Sequence, residues 1–393
     1  MIAFTANCLY TPLDRVEQPL LLVEDHVIAE VASRAERQVP EGVRVVDFGD
    51  AVLAPGFVDI HIHGGAGYDV MHADASGLAA VEQLLFKHGV TSYFPTTVTA
   101  PLDQTWSALD RLADAIESAA QNGGFRGERA QPLGIHLEGP FLSHVRRGVH
   151  PPENLLSPTL TTFDRFWQAA RGHIRVMTIA PELEGAREVI FEAARRGVCV
   201  SVGHSDSDLN STRAAVAAGA RHATHTFTAM RPLDHRDPGI VGEALTDSRL
   251  SADIIADGIH LDPAIVELFL KAKGPDAAVL ITDAVSATGM PEGRYRLGAF
   301  EVEVKDGRSL VGGKLAGSVL TMDRAVRNVM QFAHWDLQQA VRLATLNPAR
   351  VAGLANRGKL EKGAEADFVV LSPRGEVRST IVRGEVAEAV SRS

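Results

Sequence analysis

Gly56-Phe57-Val58-Asp59-Ile60-His61-Ile62-His63 alternates apolar residues with Asp59, His61 and His63. Side chains of a strand alternate between its two faces, so both imidazoles project to the same side. Seven further short apolar runs follow this one: Thr91–Thr96, Leu133–Glu138, Ile174–Ala180, Val198–His204, Ala223–Phe227, Leu250–Ala256 and Ala278–Thr282. Amphipathic stretches with helical spacing separate most of them: Ser76–His88, Leu102–Ala120, Gly185–Arg196, Ser207–Ala218 and Pro263–Ala272, with Thr161–Ala170 less cleanly patterned. Two more, Ser318–Ala333 and Asp336–Ala344, follow the last run. Such a strand–helix series predicts an α/β fold, a (β/α)8 TIM-like barrel. An open doubly wound sheet would usually stop at roughly five to seven strands.

The chain ends read differently. Ile2–Leu9, Pro19–Val23, His26–Glu30 and Val43–Phe48 are short β segments, and Phe368–Leu371 and Thr380–Val382 resume that pattern after Asn347-Pro348. The expected organisation is a barrel over residues 54–350, with residues 1–53 and 351–393 pairing into one small β-sandwich domain. The alternative is that both ends only decorate the barrel. Hydrophobic residues make up 45% and charged residues 22% of 393, ordinary for a globular chain with a large core. A net charge of −10 without a basic run excludes a nucleic-acid-binding stripe. It also requires any anionic substrate to find a local cationic pocket. The N-terminus lacks the basic and apolar regions of a signal peptide, and the two cysteines, Cys8 and Cys199, sit far apart in apolar surroundings. A cytoplasmic protein with reduced, inert thiols and no membrane partner is expected.

Barrel enzymes draw their catalytic groups from the C-terminal ends of different strands, which meet at one mouth. Alone, the His61/His63 pair is equally consistent with surface histidines. The third run ends Ile135-His136-Leu137-Glu138-Gly139-Pro140, where alternation gives Glu138 the facing of His136. The fifth runs into His204, the sixth carries His225, and the apolar eighth ends in Asp283. A carboxylate closing such a strand is costly to bury unless a cation or a bound water partners it. Imidazole and carboxylate together suit a borderline divalent ion such as zinc. Five strand ends each bringing such a group to one mouth is a specific conjunction.

In these motifs the chain resembles the amidohydrolase superfamily and, within it, the N-acetylglucosamine-6-phosphate deacetylase family. Further matching stretches are Val202-Gly203-His204-Ser205, His225-Thr226-Phe227-Thr228-Ala229-Met230, Ile255-Ala256-Asp257-Gly258-Ile259-His260 and Asn347-Pro348-Ala349, so the likeness spans nearly the whole chain. The resemblance implies Glu138, His204 and His225 as main metal ligands, with His61 and His63 able to hold a second ion and Glu138 bridging. Many superfamily members bridge with a lysine of the fourth strand; Ile174–Ala180 contains none. The ion is expected to be zinc, one or two per subunit.

The resemblance also implies metal-dependent hydrolysis of the acetamide of N-acetyl-D-glucosamine 6-phosphate, giving the free amine and acetate. Asp283 would serve as general base and then acid, and His150 as donor to the oxyanion. By resemblance, Val149, His150, Thr228, Ala229, Arg236, His260, Leu315, Ala316 and Gly317 contact the sugar or its phosphate. On sequence alone the stronger reading of Arg236 is as a partner of Asp234 or Asp237 on a solvated loop. In the family part of the phosphate site can come from a neighbouring subunit, so a homodimer is expected. Thr228 stands where the family usually has asparagine, which leaves N-acetylgalactosamine 6-phosphate open as substrate. Rival readings are an amidohydrolase of cyclic amides or N-acyl amino acids, and a non-catalytic barrel scaffold.

Overall fold

The computed structural model describes residues 1–11, 13–121 and 127–386; the last seven residues of the expected C-terminal module, 387–393, lie outside it. Eight parallel strands succeed one another around a barrel: Phe57–Ile62, Val90–Thr97, Ile135–Glu138, Ile174–Ile179, Cys199–Val202, His222–Ala223, Ser251–Ile255 and Ala278–Ile281. A parallel bridge between Ile62 and Ala284 joins the last strand to the first, and the Asp283 N–H donates to the His61 carbonyl at 2.9 Å across this seam. The expected barrel is therefore present.

Each strand is followed by a helix packed outside, and several start at a side-chain cap. Asp74, Thr159 and Asp208 each accept from a backbone N–H three residues on, the ordinary way to satisfy the first turn's free donors. Two elements depart from the sequence expectation. Gly239–Thr246 is a helix, but its residues from Gly239 to Ala244 are all buried, so no polar face marks it by periodicity. Between the eighth strand and the helix Met322–Ala333 lies a four-stranded antiparallel sheet, Gly293–Leu297, Phe300–Lys305, Arg308–Val311 and Lys314–Leu315. Its GRYRL and FEVEVK alternate charged and apolar residues, a period-two signal that a count of strand–helix units passes over.

The chain termini build two facing sheets. One orders Val27–Ser33, Pro19–Glu24, Ile2–Thr5 and Arg44–Asp47; the other orders Val377–Ile381, Phe368–Leu371, Val52–Pro55, Cys8–Tyr10 and Arg15–Glu17. Phe4 of the first meets Phe368 of the second edge-on at 4.9 Å, and Leu21, Ile28, Leu9, Leu53 and Val370 fill the space between. The alternate residues Cys8, Tyr10, Val52, Ala54, Val369 and Leu371 belong instead to the barrel's core cluster. Period-two alternation thus makes one sheet serve two cores. No described helix is long and apolar enough to cross a membrane.

Candidate metal centre

The barrel interior beneath its mouth is polar, unlike the branched apolar filling usual for the fold. His136 Nε2 meets Thr178 Oγ1 at 2.8 Å, and Thr178 Oγ1 meets Thr224 Oγ1 at 2.8 Å. Fully buried Asp59 accepts the His61 N–H at 3.3 Å and the Thr282 N–H at 3.4 Å. Asp253 likewise accepts the His225 N–H and meets His222 Nε2 at 2.8 Å. Two buried carboxylates therefore grip the backbone of residues that carry the mouth's histidines.

Above this layer, strand alternation brings His61 and His63 inward from the first strand and Glu138 from the third, as expected. His204, His225 and Asp283 arrive differently. Each lies past its strand end with a left-handed backbone, φ of 46°, 30° and 49°. For residues other than glycine such a backbone costs roughly 1–3 kcal/mol, and such residues cluster at functional sites. The sixth strand corrects the sequence reading of Ala223–Phe227: it ends at Ala223, and His225 sits in the turn that follows. The Asp253 carboxylate and carbonyl capture the N–H groups of His225 and Thr226 and bend the chain away from extension.

Glu138 Oε1 lies 3.2 Å from His204 Nε2 and 3.2 Å from His225 Nε2, which are themselves 3.1 Å apart. A tetrahedral ion with bonds of about 2.0–2.1 Å spaces its ligands about 3.3 Å apart, so this triangle fits one. A second group adjoins it: His61 Nε2 and His63 Nε2 are 3.3 Å apart, and His63 Nε2 is 3.3 Å from Glu138 Oε2 and 3.2 Å from Asp283 Oδ1. Among the described residues, two His/Glu groups are thus able to bind a metal, with Glu138 common to both.

Outer partners set the imidazole protons. Nδ1 of His63, His204 and His225 faces the carbonyls of Thr96, Arg146 and Thr228, each at 3.1 Å. A carbonyl only accepts, so each Nδ1 carries a proton, and each Nε2 is the nitrogen that could give its lone pair to a cation in place of a proton. His61 Nδ1 is buried and has no hydrogen-bond partner among the described residues. His150 has the opposite tautomer: its Nδ1 accepts the Thr99 N–H at 3.2 Å and lies 2.8 Å from the Thr99 hydroxyl, which then also donates, so the proton sits on Nε2, 3.6 Å from Glu138 Oε2.

The carboxylates are ionised and concentrate negative charge here. Burial pushes Asp283 up, but its bond to His63 and the neighbouring imidazoles hold it at about 2. Glu138 lies well below the carboxylate range because His61 and three bonded imidazoles outweigh burial. Burial drives His204 down to about 4, whereas at His225 the Glu138 contact overcomes burial and lifts it to about 9. The imidazole protons balance the two carboxylates, and a divalent ion that displaced them would find the nitrogen and oxygen donors it takes.

A cavity of about 60 Å³ opens over the ligands, lined among others by Val149, His150, Thr228, Ala229, His260, Leu315, Ala316 and Gly317. Every anticipated substrate contact except Arg236 therefore faces it. Arg236 is exposed and does not line the cavity; Asp237 pairs with Arg231, and Asp234 accepts the Arg236 backbone N–H at 2.8 Å. His260 is oriented by Asp257, whose Oδ2 lies 2.7 Å from its Nδ1. Gly317 is needed as glycine: at φ +57° a Cβ would come within 2.8 Å of the Asp283 carbonyl, whereas Gly312 and Gly313 have open space and serve as turns. Val98 and Leu297 also line the cavity and carry no chemical signal in the sequence.

Buried carboxylates and imidazoles at the strand ends of a closed (β/α)8 barrel define the class, a barrel hydrolase built to hold a metal. The amidohydrolase family model matches residues 52–387. The N-acetylglucosamine-6-phosphate deacetylase of Bos taurus is 42% identical, covering 91% of this chain and 88% of its own. An N-acetylgalactosamine-6-phosphate deacetylase of Escherichia coli O157:H7 is 38% identical, covering 93% and 94%. A solved N-acetyl-D-glucosamine-6-phosphate deacetylase mutant from Mycobacterium smegmatis, in complex with N-acetyl-D-glucosamine-6-phosphate, superimposes with a TM-score of 0.89 at 35% identity, covering 98% of both chains. The chain belongs to the amidohydrolase family and, within it, to the N-acetylglucosamine-6-phosphate deacetylase group.

Proposed function

We propose that this chain hydrolyses the acetamide of N-acetyl-D-glucosamine 6-phosphate, releasing D-glucosamine 6-phosphate and acetate. The observation that carries the reading is the Glu138–His204–His225 triangle, with edges of 3.1 to 3.2 Å, beside an ionised Asp283. These three residues would hold the main divalent ion, zinc by its donor set, and His61 and His63 a second. A divalent cation here supplies a water of near-neutral pKa and polarises a carbonyl oxygen. Asp283 accepts the water's proton as the oxygen adds to the acyl carbon. His150 Nε2–H donates to the oxygen that becomes negative, a role suited to the tautomer that Thr99 imposes. The C–N bond then breaks, and the proton held by Asp283 passes to the amine nitrogen.

Thr228, Ala229, His260 and the Leu315–Gly317 segment would hold the sugar. The phosphate would meet His260 and Arg236. Arg236 is exposed and does not line the cavity of its own chain, which supports giving it the phosphate of a neighbouring subunit in a homodimer. A reducing cytoplasmic setting agrees with both thiols being held protonated by burial, Cys199 at about 12. The test is acetate release from N-acetylglucosamine 6-phosphate by the metal-loaded protein; no release at any metal loading overturns the reading. The relative from Escherichia coli O157:H7 and Thr228 favour assaying the galactosamine epimer in parallel. A kcat/KM higher for that epimer would reassign the sugar and keep the chemistry.

A further inference from the structure

The cavity has an apolar side that the metal chemistry does not use. Val98 follows the second barrel strand, flanked by residues that hold the centre's imidazoles: Thr96 accepts from His63 Nδ1, and Thr99 donates to His150 Nδ1. Val98 is buried and lines the cavity beside them. Leu297 faces the same cavity from the inserted antiparallel sheet and is 3% exposed.

Leu297 is fastened on both sides. The Arg296 carbonyl accepts from Ser286 Oγ, and the Gly298 N–H donates to Asp69 Oδ2. Asp69 is itself buried and fixed through Oδ1, which accepts the Met71 N–H at 2.7 Å. Gly298 rests directly on Val98: a Cβ there would lie 2.6 Å from Val98 Cγ1, and its φ is +55°. Only glycine lets the sheet's tip seat this closely. Val98 and Leu297, each packed in its own apolar cluster, are thus both held at the cavity.

Their position says what they meet. Thr228, Ala229 and His260 follow the sixth and seventh strands, across the barrel from the second. With the sugar toward those residues and the amide carbon between Asp283 and His150, the side left for the acyl substituent is the one Val98 lines, bordered by Leu297, which packs in one cluster with Ala316. The free space over the ligands, about 60 Å³, is far below the roughly 300–1,000 Å³ of sites that enclose a whole ligand, so the side lined by Val98 and Leu297 leaves room for a small group.

We propose that Val98 and Leu297 form an acyl subsite sized for a methyl group, so that the chain selects N-acetyl over longer N-acyl amino-sugar phosphates. This rests on the deacetylase reading above. A close-packed wall resists an added methylene, since both the wall and the substrate would have to shift. One methylene in an apolar pocket changes kcat/KM by roughly 10- to 200-fold.

The test compares kcat/KM for N-acetyl- and N-propionyl-glucosamine 6-phosphate in wild type, Leu297→Ala and Val98→Ala. Wild type should prefer the acetyl compound by at least about tenfold, and each truncation should narrow that ratio by about tenfold. His260→Asn, on the sugar side, should weaken both substrates alike and leave the ratio as it was. Val98→Ala carries the test if Leu297→Ala melts below the assay temperature. Wild type lacking acetyl turnover overturns the deacetylase reading itself. Acetyl turnover without a preference over propionyl, or a ratio unmoved in folded variants, overturns the acyl subsite alone.

Discussion

His150 and His204 lie with ring centroids 4.7 Å apart, yet their outer partners give them opposite tautomers. Thr99 offers an N–H to one and Arg146 a carbonyl to the other, so one imidazole presents a proton to the cavity and the other a lone pair. Asp283 is the residue whose chemistry is most exposed to test. Asp283→Asn keeps the shape and loses the base, and should lower kcat by about 10²- to 10⁴-fold with the Glu138–His204–His225 ion retained, as read by elemental analysis. Full activity would remove Asp283 from the mechanism. The two ligand groups should also differ in affinity. His204 and His225 both have their Nδ1 satisfied, whereas His61 Nδ1 has no hydrogen-bond partner among the described residues. Since an outer partner is worth roughly 10- to 100-fold in metal affinity, titration should find one tight ion and one weaker. Equal affinities would count against that ranking. His61, His63 and Glu138 were legible because alternation alone orients them. His204, His225 and Asp283 could be nominated only as strand-end residues, because the left-handed backbone that aims them is imposed by contacts from other strands.

Among the elements, the helix Ala75–Lys87 shows how burial ties packing to pH. Glu82 on its inner face is buried beside Tyr93 of the second strand, whose hydroxyl donates to Oε1 at 3.1 Å. Burial, only partly offset by Tyr93 and Arg129, pushes Glu82 up to about 7. The folded state therefore keeps a proton that the unfolded state releases near pH 4.5. This contribution to stability is complete below that pH and is lost as pH rises to about 7, by up to about 3 kcal/mol. Glu82→Gln should accordingly raise the melting temperature at pH 8 and lose that advantage near pH 5; a gain equal at both would refute the assignment. The principal helices and strands were readable because they repeat a period of 3.6 or 2 over a half-buried surface. Gly239–Thr246 was not, for its residues from Gly239 to Ala244 are all buried, and the inserted sheet was hidden by its place inside a strand–helix series.

At the scale of the whole molecule, metal and subunits become the variables. An ion bound only by the folded state at a thousandfold excess over its Kd adds about 4 kcal/mol, so chelation should lower the melting temperature of a chain this size by about 5 °C. An unchanged temperature would mean that no tightly held ion contributes to the fold. Arg236 gives a test of the homodimer. Mixed dimers of Asp283→Asn with Arg236→Ala contain one site with an intact base and, from the partner chain, an intact arginine. If Arg236 acts across the subunit interface, mixing after dissociation should restore high-affinity turnover to that site; if it acts within its own chain, mixing restores none.

From the linear chain alone came the barrel, the terminal β segments, and the order in which imidazoles and carboxylates reach the mouth, because those features are written in period and position. The tertiary structure decided what period cannot encode. It gave His150 the opposite tautomer to its neighbours, turned His225 out of its strand through Asp253, and brought Val98 and Leu297 together, residues 199 positions apart in the sequence. Each depends on a hydrogen bond or a contact between segments distant along the chain, and such pairings exist only once the barrel has closed.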